Sequence, residues 1–189
     1  MKRKIDRAPY VMATPLPDAE PSPPEPLPRR YSSLPFPAYR FVPGRTPHPT
    51  RNPRGHSYGI DRWVVVSFDP PEWRTSTAYL HGVDLFNYAY WWEAHEAWEG
   101  LWMAAGRRTP SGRFLQGLIQ VSVAHLKWFQ GLPEPARRLL REGFARMTQC
   151  PTPFLGIEVA CFQCDVEAYF AGTRDLPPVI QLVGFAVDG

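Results

Sequence analysis

Trp91-Trp92-Glu93-Ala94-His95-Glu96-Ala97-Trp98-Glu99-Gly100-Leu101-Trp102 is the stretch that decides the fold. At about 100° per residue, Tyr90, Ala94, Ala97, Trp98 and Leu101 share one helical face. Trp92, His95, Glu96, Glu99, Trp102 and Met103 share the opposite one. A plain surface helix sets its charges among lysines and glutamines. Here an imidazole and two carboxylates sit between two tryptophans and a methionine, so the second face is expected to be covered as well. Buried acids and histidines must be hydrogen-bonded or paired, because leaving them bare costs several kcal/mol.

Partners are expected from a later helix, Phe114-Leu115-Gln116-Gly117-Leu118-Ile119-Gln120 and onward. Its core face is Leu115, Leu118, Ile119, Leu126 and Phe129, while Gln116, Gln120 and Lys127 form a separate stripe. Gly117 beside that stripe costs about 1 kcal/mol in a helix interior and lets a neighbouring helix come close. His125 reads as a core histidine, and His81 as a turn or helix-start residue.

Outward from this pair, helical periodicity begins near residue 76. The spacing predicts helices near 77–87 and 89–105, a break at Gly106, and a third helix from Pro110 to about Gln130. A fourth follows Pro133 and ends near Gln149, and a fifth spans about 157–171. In the fourth, Leu139, Leu140, Gly143, Phe144 and Met147 make the apolar stripe, with Arg137, Arg138, Arg141 and Arg146 mostly off it. The fold class is therefore all-α: a compact bundle of about five helices with an extended Pro-rich N-terminal arm. The division is an arm over 1–62 and a helical domain over 63–189, with core helices at about 77–171 and an extended C-terminal tail.

Fourteen of the 23 prolines precede residue 54, which forbids a long helix or a central strand there. Tyr31, Phe36, Tyr39, Phe41, His48, His56 and Tyr58 give this segment aromatic and imidazole groups that can lie on another surface. One reading is a strap over its own domain; the other is a docking arm for a protein partner. Residues 1–62 carry eleven Lys/Arg against five Asp/Glu, and 63–189 carry ten against thirteen. The basic character belongs to the arm. Its arginines are scattered and no helix presents them as a stripe, which weighs against nucleic acid. Trp63-Val64-Val65-Val66-Ser67-Phe68 is the one strand-like run.

Met1-Lys2-Arg3-Lys4 is basic, but prolines follow it rather than an apolar run, so secretion is not expected. No stretch approaches the roughly 18–20 apolar residues of a membrane span. A cytoplasmic location with reduced thiols is expected for Cys150, Cys161 and Cys164. Cys161-x-x-Cys164 looks like half a zinc site, yet the helical spacing of its apolar neighbours reads as two packed thiols.

An Ala-His-Glu-x-x-Glu helix followed by a Phe-Leu-Gln-Gly-Leu-Ile-Gln helix resembles the signature of an uncharacterised bacterial and archaeal family, domain of unknown function 309. Gly82-Val83-Asp84-Leu85-Phe86-Asn87 is similar to its lead-in. The resemblance spans about residues 78–171 and implies a compact helical bundle; it implies no activity.

Three readings meet at His95, Glu96, Glu99, Gln116 and Gln120. The first is a mainly structural, buried His/Glu/Gln cluster in a non-catalytic binding or assembly protein. The second is metal binding, with His95 and Glu99 four residues apart and facing one divalent ion. No cofactor is strongly implied beyond that; the pattern resembles half of a ferritin-like carboxylate site without a second half. The third is acid–base catalysis by Glu96 or Glu99 with His95 tuning the carboxylate.

Overall fold

The computed structural model describes residues 20–60 and 68–185. A short 3-10 turn, Pro70–Thr75, leads into five helices: α1 Thr77–Asn87, α2 Trp91–Ala105, α3 Pro110–Phe129, α4 Pro133–Met147 and α5 Val159–Phe170. Among the described residues the β pairing is confined to one isolated bridge, Phe154 with Ile157. The strand-like run at residues 63–68 lies, except for Phe68, outside the described residues.

The helix ends follow local chemistry. The Ser76 side chain caps α1 by accepting from the Tyr79 N–H (3.3 Å), and Thr109 caps α3 by accepting from Gly112 (3.0 Å). Gly106 closes α2 at φ +84°, a conformation that suits glycine. Pro110 and Pro133 stand in first turns, where no intrahelical N–H is needed.

Two glycines set how closely helices approach. A Cβ at Gly82 would lie 2.2 Å from Trp98 Nε1, so α1 can press onto α2 only without a side chain there. A Cβ at Gly117 would lie 2.7 Å from the Gly143 carbonyl and 2.5 Å from Met147 Cγ. The helix that Gly117 admits is therefore α4.

Trp91, Trp98, Tyr79, Phe86, Phe114 and Phe170 are among the largest fully buried side chains of the core. His125 lies at its centre, wholly buried, ringed by Trp91 (centroids 4.6 Å), Phe170 (4.8 Å) and Phe86 (5.3 Å). Its Nδ1 donates to the Val121 carbonyl at 2.8 Å, and burial lowers its pKa to about 4. The imidazole is neutral at ordinary pH.

The C-terminal segment is tied down by Asn87, whose amide donates to the Ile180 carbonyl (2.9 Å) while its oxygen accepts from the Ile180 N–H (2.6 Å). Ile180 and Leu182 are buried against the bundle. No described helix is long and apolar enough to cross a membrane.

Candidate functional site

Residues 20–60 form no helix and lie along α1 and α2. Two buried carboxylates hold them. Asp84 of α1, with no exposed surface, accepts the backbone N–H groups of Tyr31 (2.7 Å) and Ser32 (2.8 Å) and the Ser32 hydroxyl (2.7 Å). Arg30 Nε stands 3.6 Å away. Glu93 of α2, also buried, accepts the Phe41 N–H at 2.9 Å and has His56 Nε2 at 3.0 Å from the same oxygen. These are charge-assisted bonds, stronger than neutral ones and specific in direction.

The arm's arginines go to helix C-terminal carbonyls. Arg40 donates to Tyr88, the C-cap of α1 (2.8 Å), and Arg45 to Phe129, the last residue of α3 (3.1 Å). Those ends carry the partial negative charge of the helix dipole, where cations are favoured.

The arm's rings pack on the same surface. Phe36 stacks on Tyr90 (5.1 Å) and Tyr88 (4.6 Å), and Phe41 and His48 pack edge-on against Trp92 at 5.3 and 5.7 Å. Tyr39 donates to the Pro47 carbonyl, and the Tyr31 hydroxyl accepts from Leu182. Tyr58 is the one of the seven arm residues named above that is exposed.

On the next face of α2, His95, Glu96 and Glu99 offer ligand atoms that all lie within 4.8 Å of one another. The helix explains the convergence: residues three and four apart share a face, so Glu99 meets both His95 and Glu96. His95 Nδ1 is 3.5 Å from Glu96 Oε1, and each side chain is 22% exposed. The trio is half-buried, not enclosed in the core. The Trp92 ring lies tilted beside His95, centroids 6.4 Å apart.

Gln120 turns to another helix. Gln120 donates to Glu142 of α4 at 3.0 Å, and its Oε1 has no hydrogen-bond partner. The stripe that carries Gln116 and Gln120 flanks Gly117, and Gly117 faces α4 rather than α2.

The structure also corrects the cysteines. Cys161 and Cys164 are exposed, because Val159, Phe162, Val166 and Phe170 take the inward face of α5. Two i,i+3 positions on the opposite side of a helix cannot share that face.

A helical bundle with a covered α1–α2 surface and a half-open donor trio is the class this arrangement defines. Residues 79–139 match the family described as Domain of unknown function (DUF309). The resemblance to that family is therefore shown from α1 into α4; the match ends at Leu139, short of the expected reach through α5. No curated protein matches the chain.

Proposed function

We propose that this domain is a binding protein whose ligand is a divalent cation held by His95, Glu96 and Glu99. The observation that carries the reading is the convergence of one imidazole and two carboxylates within 4.8 Å on a half-exposed helix face. Bonds of about 2.0–2.2 Å around a tetrahedral ion put neighbouring donors roughly 3.4 Å apart. A mixed set suits zinc through its imidazole nitrogen and the harder manganese through its carboxylate oxygens.

The buried acids Asp84 and Glu93 already have the structural work of holding the arm, although Glu93 does so through one oxygen only. Glu96 and Glu99, by contrast, are reached by solvent and converge with His95, which supports reading them as a cation's donors. The two buried acids also support reading the arm first as an intramolecular strap, with Leu27, Tyr58 and Ile60 as its exposed apolar residues left for a protein partner.

The test is calorimetric titration of chelator-stripped, full-length protein with Zn²⁺ or Mn²⁺. One ion per chain is expected, with affinity at least tenfold weaker in His95→Ala and Glu99→Gln at unchanged helicity. Binding that persists undiminished in both variants, or that is absent from the wild type, would remove the proposal.

A further inference from the structure

Cys161 and Cys164 are both free and both exposed, three residues apart on one helix. From the helix rise and the 3.6-residue turn, their Cα atoms lie roughly 5 Å apart. Disulfides form at Cα separations of about 4.4–6.8 Å, with the side chains on one face. The pair meets the Cα condition; its Cβ atoms, about 5–6 Å apart on a regular helix, reach the roughly 3.5–4.5 Å of a disulfide by a local adjustment of that one turn.

The neighbourhood favours pair chemistry over metal chemistry. Asp165 is bridged to Arg174 at 2.5 Å, and Glu167 accepts from Gln163 at 2.7 Å. Among the described residues, the group of three or more converging metal donors is the α2 trio, and it contains neither thiol. Two thiols with no third donor make a weak zinc site, because structural zinc takes four. Cys150 is set apart: it is half-buried, its Sγ donates to the Pro110 carbonyl, and burial pushes its thiol up. A raised thiol has less of the thiolate that reacts.

We propose that Cys161 and Cys164 form a redox-active dithiol that closes to an intrahelical disulfide by exchange with a low-molecular-weight disulfide. One thiolate attacks a sulfur of the small disulfide, forming a mixed disulfide and releasing one small thiol. The second thiolate then attacks the protein sulfur of that mixed disulfide, and the second small thiol leaves. The two cysteines lose two protons and two electrons, and the small disulfide gains them. Nothing else is consumed. The apolar face of α5, with Phe162 and Val166, points away from the reacting sulfurs, so closure leaves the bundle's packing in place.

The experiment treats reduced full-length protein with oxidised glutathione and reads intact mass, fragment mapping and free thiols after denaturation. Of the three cysteines in the chain, the wild type should keep one free thiol, with no retained glutathione and a Cys161–Cys164 link in the fragments. At least one of Cys161→Ser and Cys164→Ser should instead retain the glutathione that the wild type sheds. Stable glutathione on both residues of the wild type, a link through Cys150, a disulfide between two chains, or three surviving thiols would each overturn the proposal.

Discussion

Asp84 and Glu93 differ from Glu96 and Glu99 in one respect above all: the first pair is buried beneath the arm and the second is reached by solvent. The four carboxylates stand on adjacent helices within sixteen residues of sequence. The first two are buried under the arm and receive backbone N–H groups, a hydroxyl and an imidazole. The second two are half-exposed and gather with His95 on one another. An acid enclosed by fixed donors is pinned to one geometry and defines where a segment lies. An acid left partly in water keeps the freedom to meet a ligand. Side-chain type is the same in both regions, and the covering segment makes the difference.

The largest expected effect is at Asp84. Replacing it by Ala leaves the Tyr31 and Ser32 donors without their acceptor and should cost about 3 kcal/mol. At roughly 2–4 °C per kcal/mol for a chain of this size, the thermal midpoint should fall by about 6–12 °C. Amide exchange at Tyr31 and Ser32 should accelerate with it. An unchanged midpoint would show that the arm contributes nothing through Asp84, and the contrast between the two regions would collapse.

Next comes acid sensitivity from His125, which tests whether the core under both regions is as closed as its packing implies. The ordinary histidine pKa is about 6.5, and burial lowers that of His125 to about 4. Between these values the unfolded chain binds a proton that the folded chain refuses, so stability falls as pH drops from 6.5 towards 4 and levels off below. At pH 4.5 the loss from this group is about 2.5 kcal/mol. In urea denaturation, His125→Leu should show a stability difference between pH 7 and pH 4.5 that is smaller by that amount. Equal pH dependence in variant and wild type would mean that the imidazole is reached by water.

A smaller effect is expected at Glu93, which shares one oxygen between the Phe41 N–H and His56. Glu93→Gln keeps the shape and an acceptor and removes the charge, so about 1 kcal/mol should be lost. Arm exchange should rise at Phe41 while Tyr31 and Ser32, held by Asp84, stay protected.

How much of this could be read in advance follows from range. Helix periodicity is local, and α1 to α5 lie within a few residues of where the apolar spacing puts them. The grouping of His95, Glu96 and Glu99 is also local, since one turn of helix suffices. The roles of Asp84 and Glu93 are not. Both sit in the quoted motifs, but their donors are backbone N–H groups of Tyr31, Ser32 and Phe41, more than fifty positions away in every case. A backbone donor in an irregular segment has no side-chain signature. The excess of Lys/Arg over residues 1–62 was legible, but not that two of them, Arg40 and Arg45, serve helix ends. The Gln116 and Gln120 stripe was visible, and Gly117 beside it announced a close helix. Nothing in the spacing said that this helix was α4.

The smallest expected effect on stability is at Glu99, and it separates the two regions most directly. Glu99→Gln alters a half-exposed group, where solvent screens the lost charge and exposed ion pairs contribute about 0–1 kcal/mol. In metal-free buffer the urea midpoint should therefore stay within about 0.5 kcal/mol of the wild type, against about 1 kcal/mol for Glu93→Gln. Saturating divalent ion should then stabilise the wild type and the Glu93 variant by comparable amounts, because a ligand that binds only the folded chain adds stability with its occupancy. The Glu99 variant should gain almost nothing. If Glu99→Gln instead costs as much as Asp84→Ala without metal, the α2 trio is a structural network like the one beneath the arm. The distinction between covered and ligand-ready carboxylates would then be lost.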